Sequence, residues 1–540
     1  MKTKLLTTTC LLSILLLSAC APWVASAPAP AKPNANPVNS QNSQPPVYAP
    51  PAEEPAHPYA TSAPYYPAPT QGVMGGAGAP SISQPQPPVD NFFQNYGVND
   101  FVDTREDHLS TFAVDVDTAA YTVMRQYIDD GMLPPADAVR VEEFINYFNQ
   151  EYAPPYQDAF AIYADGAFSP WHEDGTTLMR VGIQGYQVSD EQRDPLTLTL
   201  VLDVSGSMSE GNRLSLLQQS LEMLVDRLRP DDSMGIVAFT TNAWVVLEPV
   251  SGDRRNELLN AIYSLYPMET TNVEDGLQLG YQMAMGQYRA HTTNRVVLCS
   301  DGVANVDAVN PDTILESIHG YVSEGITLTS IGVGMGNFND VLLEQMADKG
   351  NGNYAYIDDL DEARRLFVDN LTSTMQIIAR DAKIQVDFNP DVVSRYRLVG
   401  YENRAVADQD FRDDQTDAGE IGAGHSVTAI YALHLKEGAE GRIATIQLRW
   451  KTPDTRQVTE LNQNFNTFDL AASFRDASPR YQLAVIVAQY AEVLRQSPWA
   501  EGVSLKEINR QAGRVAEMLH QDMDVQEFYR LVSRAAELRY

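Results

Sequence analysis

Hydrophobic positions change rhythm repeatedly along this chain. Thr111-Phe112-Ala113-Val114-Asp115-Val116-Asp117 alternates as a half-buried strand does. Residues 119–130 then take helical spacing up to Gly131 and Pro134-Pro135, and residues 139–148 predict a second short helix. Strand patterns return at 160–164 and 179–184. Between about 194 and 371 the two rhythms alternate. Strands are predicted at 196–202, 235–239, 244–247, 295–299, 326–333 and 354–357, and helices at 213–228, 254–264, 273–285, 311–323, 341–349 and 360–371. Leu214, Leu217, Leu221, Leu224 and Leu228 mark the apolar face of the 213–228 helix, and Gly350 and Gly352 close the 341–349 helix. Further strands follow at 383–388, 396–401, 427–435 and 443–450. From Phe468 onward the chain reads as helical, with clear periodicity at 481–494 and 508–519. Its apolar runs are too short and too broken to span a membrane.

Strands alternating with helices predict a largely parallel sheet covered on both faces, a Rossmann-like α/β unit over residues 194–375. The 244–247 strand is expected to lie antiparallel to 235–239. The strand-rich stretches on either side, 159–188 and 383–450, are predicted to meet in one β-sandwich that the α/β unit interrupts. The expected organisation is therefore a flanking segment, 91–193, whose strands join the sandwich, then the α/β unit, the remaining sandwich strands at 376–460, and a helical segment at 461–540. That helical tail should pack on the sandwich or on the α/β unit.

The first ninety residues carry none of these rhythms. Lys2 and Lys4 precede a short apolar run at 5–17, which ends in Leu17-Ser18-Ala19-Cys20. A positive start, an apolar run too short for a span and small residues at a cut mark an export signal over residues 1–19. The cysteine at the cut resembles the bacterial lipobox. That resemblance implies a lipidated Cys20, an extracytoplasmic location and anchorage to the cell membrane or outer membrane. Residues 20–90 hold 18 of the 32 prolines, and only Lys32, Glu53, Glu54 and Asp90 are charged. Such a stretch buries too little apolar surface to offset its ordering entropy, so a disordered, partly polyproline-II tether is expected. Cys299, in the run Val296-Val297-Leu298, is expected to be a buried small apolar residue. The formal charge of −33, with no Lys/Arg stripe, makes nucleic acid a poor partner.

Candidate chemistry lies where the first strand of the α/β unit ends. Leu200-Val201-Leu202 runs into Asp203-Val204-Ser205-Gly206-Ser207 and then a helix. In open α/β sheets ligands bind at the carboxyl ends of strands. Asp203, Ser205 and Ser207 share one tight loop, Thr271 precedes the 273–285 helix, and Asp301 follows the 295–299 strand. Oxygen donors from three loops suit a hard cation, and Mg²⁺ takes its oxygens in near-octahedral geometry.

Asp203-x-Ser205-x-Ser207, with Thr271 and Asp301, resembles the metal-ion-dependent adhesion site of von Willebrand factor type A (VWA) domains. The resemblance implies that Ser205 and Ser207 ligate the ion directly, Thr271 directly or through water, and Asp203 and Asp301 largely through water. The implied ion is Mg²⁺, alternatively Ca²⁺ or Mn²⁺. Mostly neutral ligands leave it under-neutralised, so an open position accepts an Asp or Glu carboxylate from a protein partner. Met268-Glu269-Thr270 departs from the small residues that many relatives carry there, so Glu269 stands to crowd the site or to add a ligand. Residues 110–119, 133–143, 387–390 and 396–403 resemble the flanks of a family of exported bacterial VWA proteins. The implied function is a membrane-tethered adhesion or scaffold module without catalysis. The alternative is a structural scaffold whose helical tail carries the binding.

Two further acidic motifs read as structural. Asp115-Val116-Asp117-Thr118 mimics the nucleophile loop of haloacid-dehalogenase-type phosphatases. That chemistry needs a full α/β core behind the loop, a lysine and a later acidic pair, whereas here a short helical stretch and then strands follow. Asp115 and Asp117 are instead expected to cap or pair near the α/β unit. The run from Asp410 to Asp417 lacks the glycine and spacing of an EF-hand and reads as a solvated loop.

Overall fold

The computed structural model describes residues 91–171, 174–268, 270–302, 319–336 and 338–538. The export signal, Cys20, the proline-rich tether and Glu269 lie outside these residues, as does most of the expected 311–323 helix.

Six strands form the central sheet, in the order Tyr354–Ile357, Thr327–Val333, Thr293–Ser300, Leu196–Asp203, Ser233–Phe239 and Ala243–Ser251. All neighbours are parallel except the final pair, which is antiparallel as the pattern predicts. Every residue of Leu196–Asp203 is buried, because helices cover both faces. Arg213–Val225 and Arg255–Tyr263 pack on one face through Leu217, Leu221, Leu258 and Ile262. Val273–Gly286 and Asp340–Lys349 pack on the other through Leu277, Tyr281, Leu342 and Met346, joined there by Ala119–Asp129. This is the Rossmann-like α/β arrangement read from the alternation.

Two antiparallel sheets make the sandwich. One runs Val102–Asp103, Val393–Val399, Ser426–Leu435, Thr177–Gly185, Phe160–Phe168. The other runs Gly419–Gly422, Ile377–Phe388, Arg442–Lys451, Val458–Asn466, with Leu109–Ala113 also paired to Ile377–Phe388. Val181, Ile183 and Tyr431 of the first sheet share a core with Ile384, Ile446 and Leu448 of the second. Segments before and after the α/β unit interleave directly: Val181 pairs with Ala429, and Ile384 with Phe112. The tail helices Pro479–Leu494, Leu505–Met518 and Met523–Leu538 cover the outer face of the first sheet at Leu178, Val399, Ile430 and Ala432, together with Ala119–Asp129 and Val141–Asn146. Among the described residues no helix is long and apolar enough to cross a membrane.

Three elements depart from the pattern. The opening strand ends at Ala113, leaving Asp115 and Asp117 in a loop. The 360–371 helix is broken into Leu360–Arg364, a wide turn at Arg365–Asp369 and Leu371–Met375. Strand Val458–Asn466 runs past 461, where helix was expected, and regular helix begins at Pro479. It is a sheet edge with Phe465 its one buried side chain, so its sequence carries no apolar alternation.

Candidate metal centre

Leu196–Asp203 and Thr293–Ser300 lie side by side with Leu202 opposite Cys299, so Asp203 and Asp301 leave the sheet together at its carboxyl edge. Strand order reverses at this point. The next strand, Ser233–Phe239, lies on one side of Leu196–Asp203, and the later Thr293–Ser300 on the other. Such a switch point opens a crevice between adjacent loops. Asp203 is fully buried and shapes the loop that follows it. Its Oδ1 accepts the Ser205 N–H at 2.8 Å and its Oδ2 accepts the Ser300 hydroxyl at 2.7 Å. In the resulting turn the Ser205 and Ser207 hydroxyl oxygens face each other at 3.0 Å.

Thr271 is buried at the start of Val273–Gly286. The segment before it is docked on the serine loop: Met268 N–H donates to the Val204 carbonyl at 2.7 Å, and the Thr270 and Thr241 hydroxyls meet. Asn272 caps the helix by accepting the Asp275 N–H. Two glycines let this helix lie close to the sheet. A Cβ at Gly276 would sit 2.6 Å from the Phe239 ring, and one at Gly280 would overlap Val201. Asp203, Ser205, Ser207 and Asp301 thus share two adjacent strand ends, with the Thr271 segment docked beside them.

Sequence reading missed one group. Arg213, the first residue of Arg213–Val225, is buried. Its guanidinium donates to Asp301 Oδ2 at 2.8 Å, to the Ser207 carbonyl at 3.1 Å and to the Met335 carbonyl. It therefore ties three strand-end loops together. Gly334 makes room for it, since a Cβ there would overlap the arginine side chain. A cation at a helix N-terminus opposes the helix dipole. That local misfit was the available signal that Arg213 serves something other than its own helix.

Burial, and then the charge of Asp301, push the Asp203 carboxyl up to about 7. Arg213 is engaged with Asp301, and a cation placed between the two buried carboxylates would offset their mutual repulsion. The serine spacing also fits a small cation. The two hydroxyls are hydrogen-bonded to each other, and their separation is also that of two oxygens held at right angles by metal bonds of about 2.1 Å. Among the described residues no group of three or more His, Cys, Asp or Glu side chains is arranged to hold a metal ion. The donor set here depends on hydroxyls, and it suits a hard cation.

The other motifs are engaged elsewhere. Asp115 Oδ2 accepts from Arg404 at 3.0 Å, and Asp117 Oδ1 accepts the Tyr354 N–H at 2.8 Å, so both lie against the α/β unit as pairing groups. In the Asp410–Asp417 run, Asp414 pairs with Arg449 at 2.6 Å and Arg412 with Glu460 at 2.6 Å. Cys299 is fully buried, and burial pushes its thiol up.

Three family models match the chain. "von Willebrand factor" matches residues 88–180, and "Uncharacterized protein YfbK, C-terminal" matches 373–538. "von Willebrand factor type A domain" matches 198–303, which takes in Asp203, Ser205, Ser207, Thr271 and Asp301. Among curated proteins the chain is 32% identical over 447 residues to the uncharacterized protein YfbK of Escherichia coli (strain K12), covering 78% of this chain and 77% of that one. It is 26% identical to the uncharacterized protein sll0103 of Synechocystis, covering 53% of this chain and 68% of that one. A solved von Willebrand factor type A structure from Catenulispora acidiphila is similar with 14% identity and a TM-score of 0.41, covering 68% of this chain and 88% of that one.

Proposed function

The chain belongs to the YfbK family of proteins with a VWA domain, and from that premise we propose that it is a metal-dependent capture module held at a cell-envelope membrane. VWA domains are protein-interaction modules, and this chain carries one. In the proposed reading, the hydroxyls of Ser205, Ser207 and Thr271 would hold Mg²⁺, with Ca²⁺ or Mn²⁺ as alternatives, and Asp203 and Asp301 would support it largely through water. When bound, the ion supplies an electrophilic position for an Asp or Glu carboxylate of a protein partner. The rest of the work falls to the chain itself. Asp203 holds the serine loop in its turn, and Arg213 keeps the Asp301 and Ser207 loops together.

The observation that carries this reading is the Ser205–Ser207 hydroxyl pair at 3.0 Å, seated beside two buried carboxylates at a strand-end crevice. Cys20 would provide the lipid anchor, and residues 20–90 a spacer that lets the folded head reach a partner. No catalysis is proposed, because both serine hydroxyls are assigned to the ion. The test is capture of envelope proteins by the full chain, repeated with chelator and with Ser205→Ala. The expected result is one captured partner set that both treatments release and that Mg²⁺ restores. Capture indifferent to both treatments would transfer the binding role to the helical tail.

A further inference from the structure

A second cavity, of about 320 Å³, lies on the far side of the sandwich, between the outer face of its first sheet and the helix Pro479–Leu494. It is remote in sequence and fold from the serine loop. Val485, Ala488, Gln489 and Glu492 face it at helical spacing from one side. Leu178, Val399, Ile430 and Ala432 face it from adjacent strands on the other. Ala432 and Ala488 are among the small residues of an otherwise closely packed layer, and they leave the gap open. Phe101 and Trp499 meet edge to face at 5.0 Å among the lining residues.

The mouth of this cavity carries both signs, with Asp174, Glu501, Arg395 and His434, whereas its buried part is short of acceptors. Arg397 is about nine-tenths buried or more, with 6% of its side chain exposed, and one amino nitrogen pairs with Glu492 at 3.1 Å. Among the described residues its Nε and its other amino nitrogen have no acceptor, and neither does Nε2 of the buried Gln489. Glu492 cannot make up the deficit, since Arg495 and the Ser497 hydroxyl at 2.8 Å also claim its carboxylate. The Phe101 and Trp499 rings lie 6.0 and 5.4 Å from the Arg397 guanidinium, which stabilises its charge without supplying an acceptor. Buried donors without acceptors are costly, and three of them lining one cavity specify what is missing.

We propose that this cavity binds a small organic carboxylate, its anionic end on Arg397 and Gln489 and a compact apolar body against the Leu178, Ile430 and Val485 wall. The volume suits a small-molecule site, and the mixture of apolar walls with a few convergent polar groups is the usual make-up of one. Arg397 already spends part of its charge on Glu492, so a monoanion matches the remaining demand better than a phosphate dianion.

The test uses the full chain and ligand-observed NMR with benzoate, hexanoate, neutral benzamide, and the dipeptide alanyl-phenylalanine with a free or an amidated terminus. Saturable binding of benzoate and hexanoate, mutually competitive and much weaker for benzamide, is expected. Ala488→Leu fills the gap and should abolish it. Gln489→Leu should weaken it about 2- to 10-fold, and Arg397→Gln about 10- to 100-fold. If Arg397→Gln fails to fold, the other two variants still decide the matter. Competition by the free-terminus dipeptide, but not by its amide, would identify a chain terminus as the source of the carboxylate; exclusion of both would identify a free acid. No saturable binding of either acid, equal binding of benzamide, or binding unchanged by Ala488→Leu overturns the proposal.

Discussion

Two acidic loops in this molecule begin alike and end differently. Asp115-Val116-Asp117 and Asp203-Val204-Ser205 each follow a strand and lead toward a helix. In each, the first aspartate accepts the N–H two residues on at 2.8 Å. Around Asp115 a guanidinium answers the first aspartate directly. Arg404 reaches Asp115 at 3.0 Å, Asp117 at 3.5 Å and Glu344 at 3.4 Å, and it also pairs with Asp348. Arg140 adds a contact to Asp340 at 2.5 Å, so a band of buried charge joins the flanks to the helix Asp340–Lys349. Around Asp203 the answer is incomplete, because Arg213 contacts Asp301 and the serine hydroxyls face each other. The same turn therefore makes a structural seam in one place and a candidate cation site in the other. What separates them is whether a guanidinium seats on the first aspartate itself, which no spacing motif encodes.

The contrast can be broken most severely at Arg404. Arg404→Ala would leave the buried Asp115 and Asp117 without their guanidinium and lower the unfolding free energy by about 3–5 kcal/mol, read by urea denaturation. A loss under about 1 kcal/mol would mean that the seam does not hold the flanks. Next comes Gly280→Ala, which drives a methyl group into Val201 and shifts the helix behind Thr271. It should cost about 1–3 kcal/mol and weaken Mg²⁺ uptake. Gly286→Ala in the same helix meets nothing within 4 Å and should leave uptake unchanged.

Titration separates the loops further. Burial, and then the charge of Glu402, raise Glu142 from its ordinary 4.5 to about 7, and burial raises Glu143 to about 8. A raised carboxyl keeps its proton in the folded chain and loses it in the unfolded one. The contribution of these two groups to stability is thus greatest at or below about pH 4.5 and is lost as the pH rises toward 7 and 8. Glu142→Gln should remove up to about 1.4 kcal/mol per pH unit from that decline between pH 5 and 7, measured by unfolding at stepped pH. An unchanged slope would show that Glu142 titrates normally. The smallest effect belongs to the other loop. Ser205→Ala should cost only about 1 kcal/mol of stability without added metal, the worth of one hydrogen bond.

Much of this architecture was legible in the chain. The leucine-rich run of Leu196–Asp203 and the leucine face of Arg213–Val225 declared a two-sided α/β sheet, and strand patterns on both sides declared the interrupted sandwich. Asp203, Ser205 and Ser207 were legible because one short loop places them. Arg213 was not, because its role depends on a carbonyl and a carboxylate supplied by strands about a hundred residues away. The Val458–Asn466 strand was hidden by its exposed edge position, and the cavity at Arg397 by the fact that its walls come from five separate segments.

The central claim is that the Asp203 loop has room for one dication where the Asp115 loop has none. Calorimetric titration of MgCl₂ into the full chain, into Ser205→Ala and into Asp115→Asn tests it most directly. The account predicts one saturable Mg²⁺ per chain, lost in Ser205→Ala and retained in the Asp115→Asn variant. No uptake of magnesium, calcium or manganese, or uptake that survives Ser205→Ala, would contradict it.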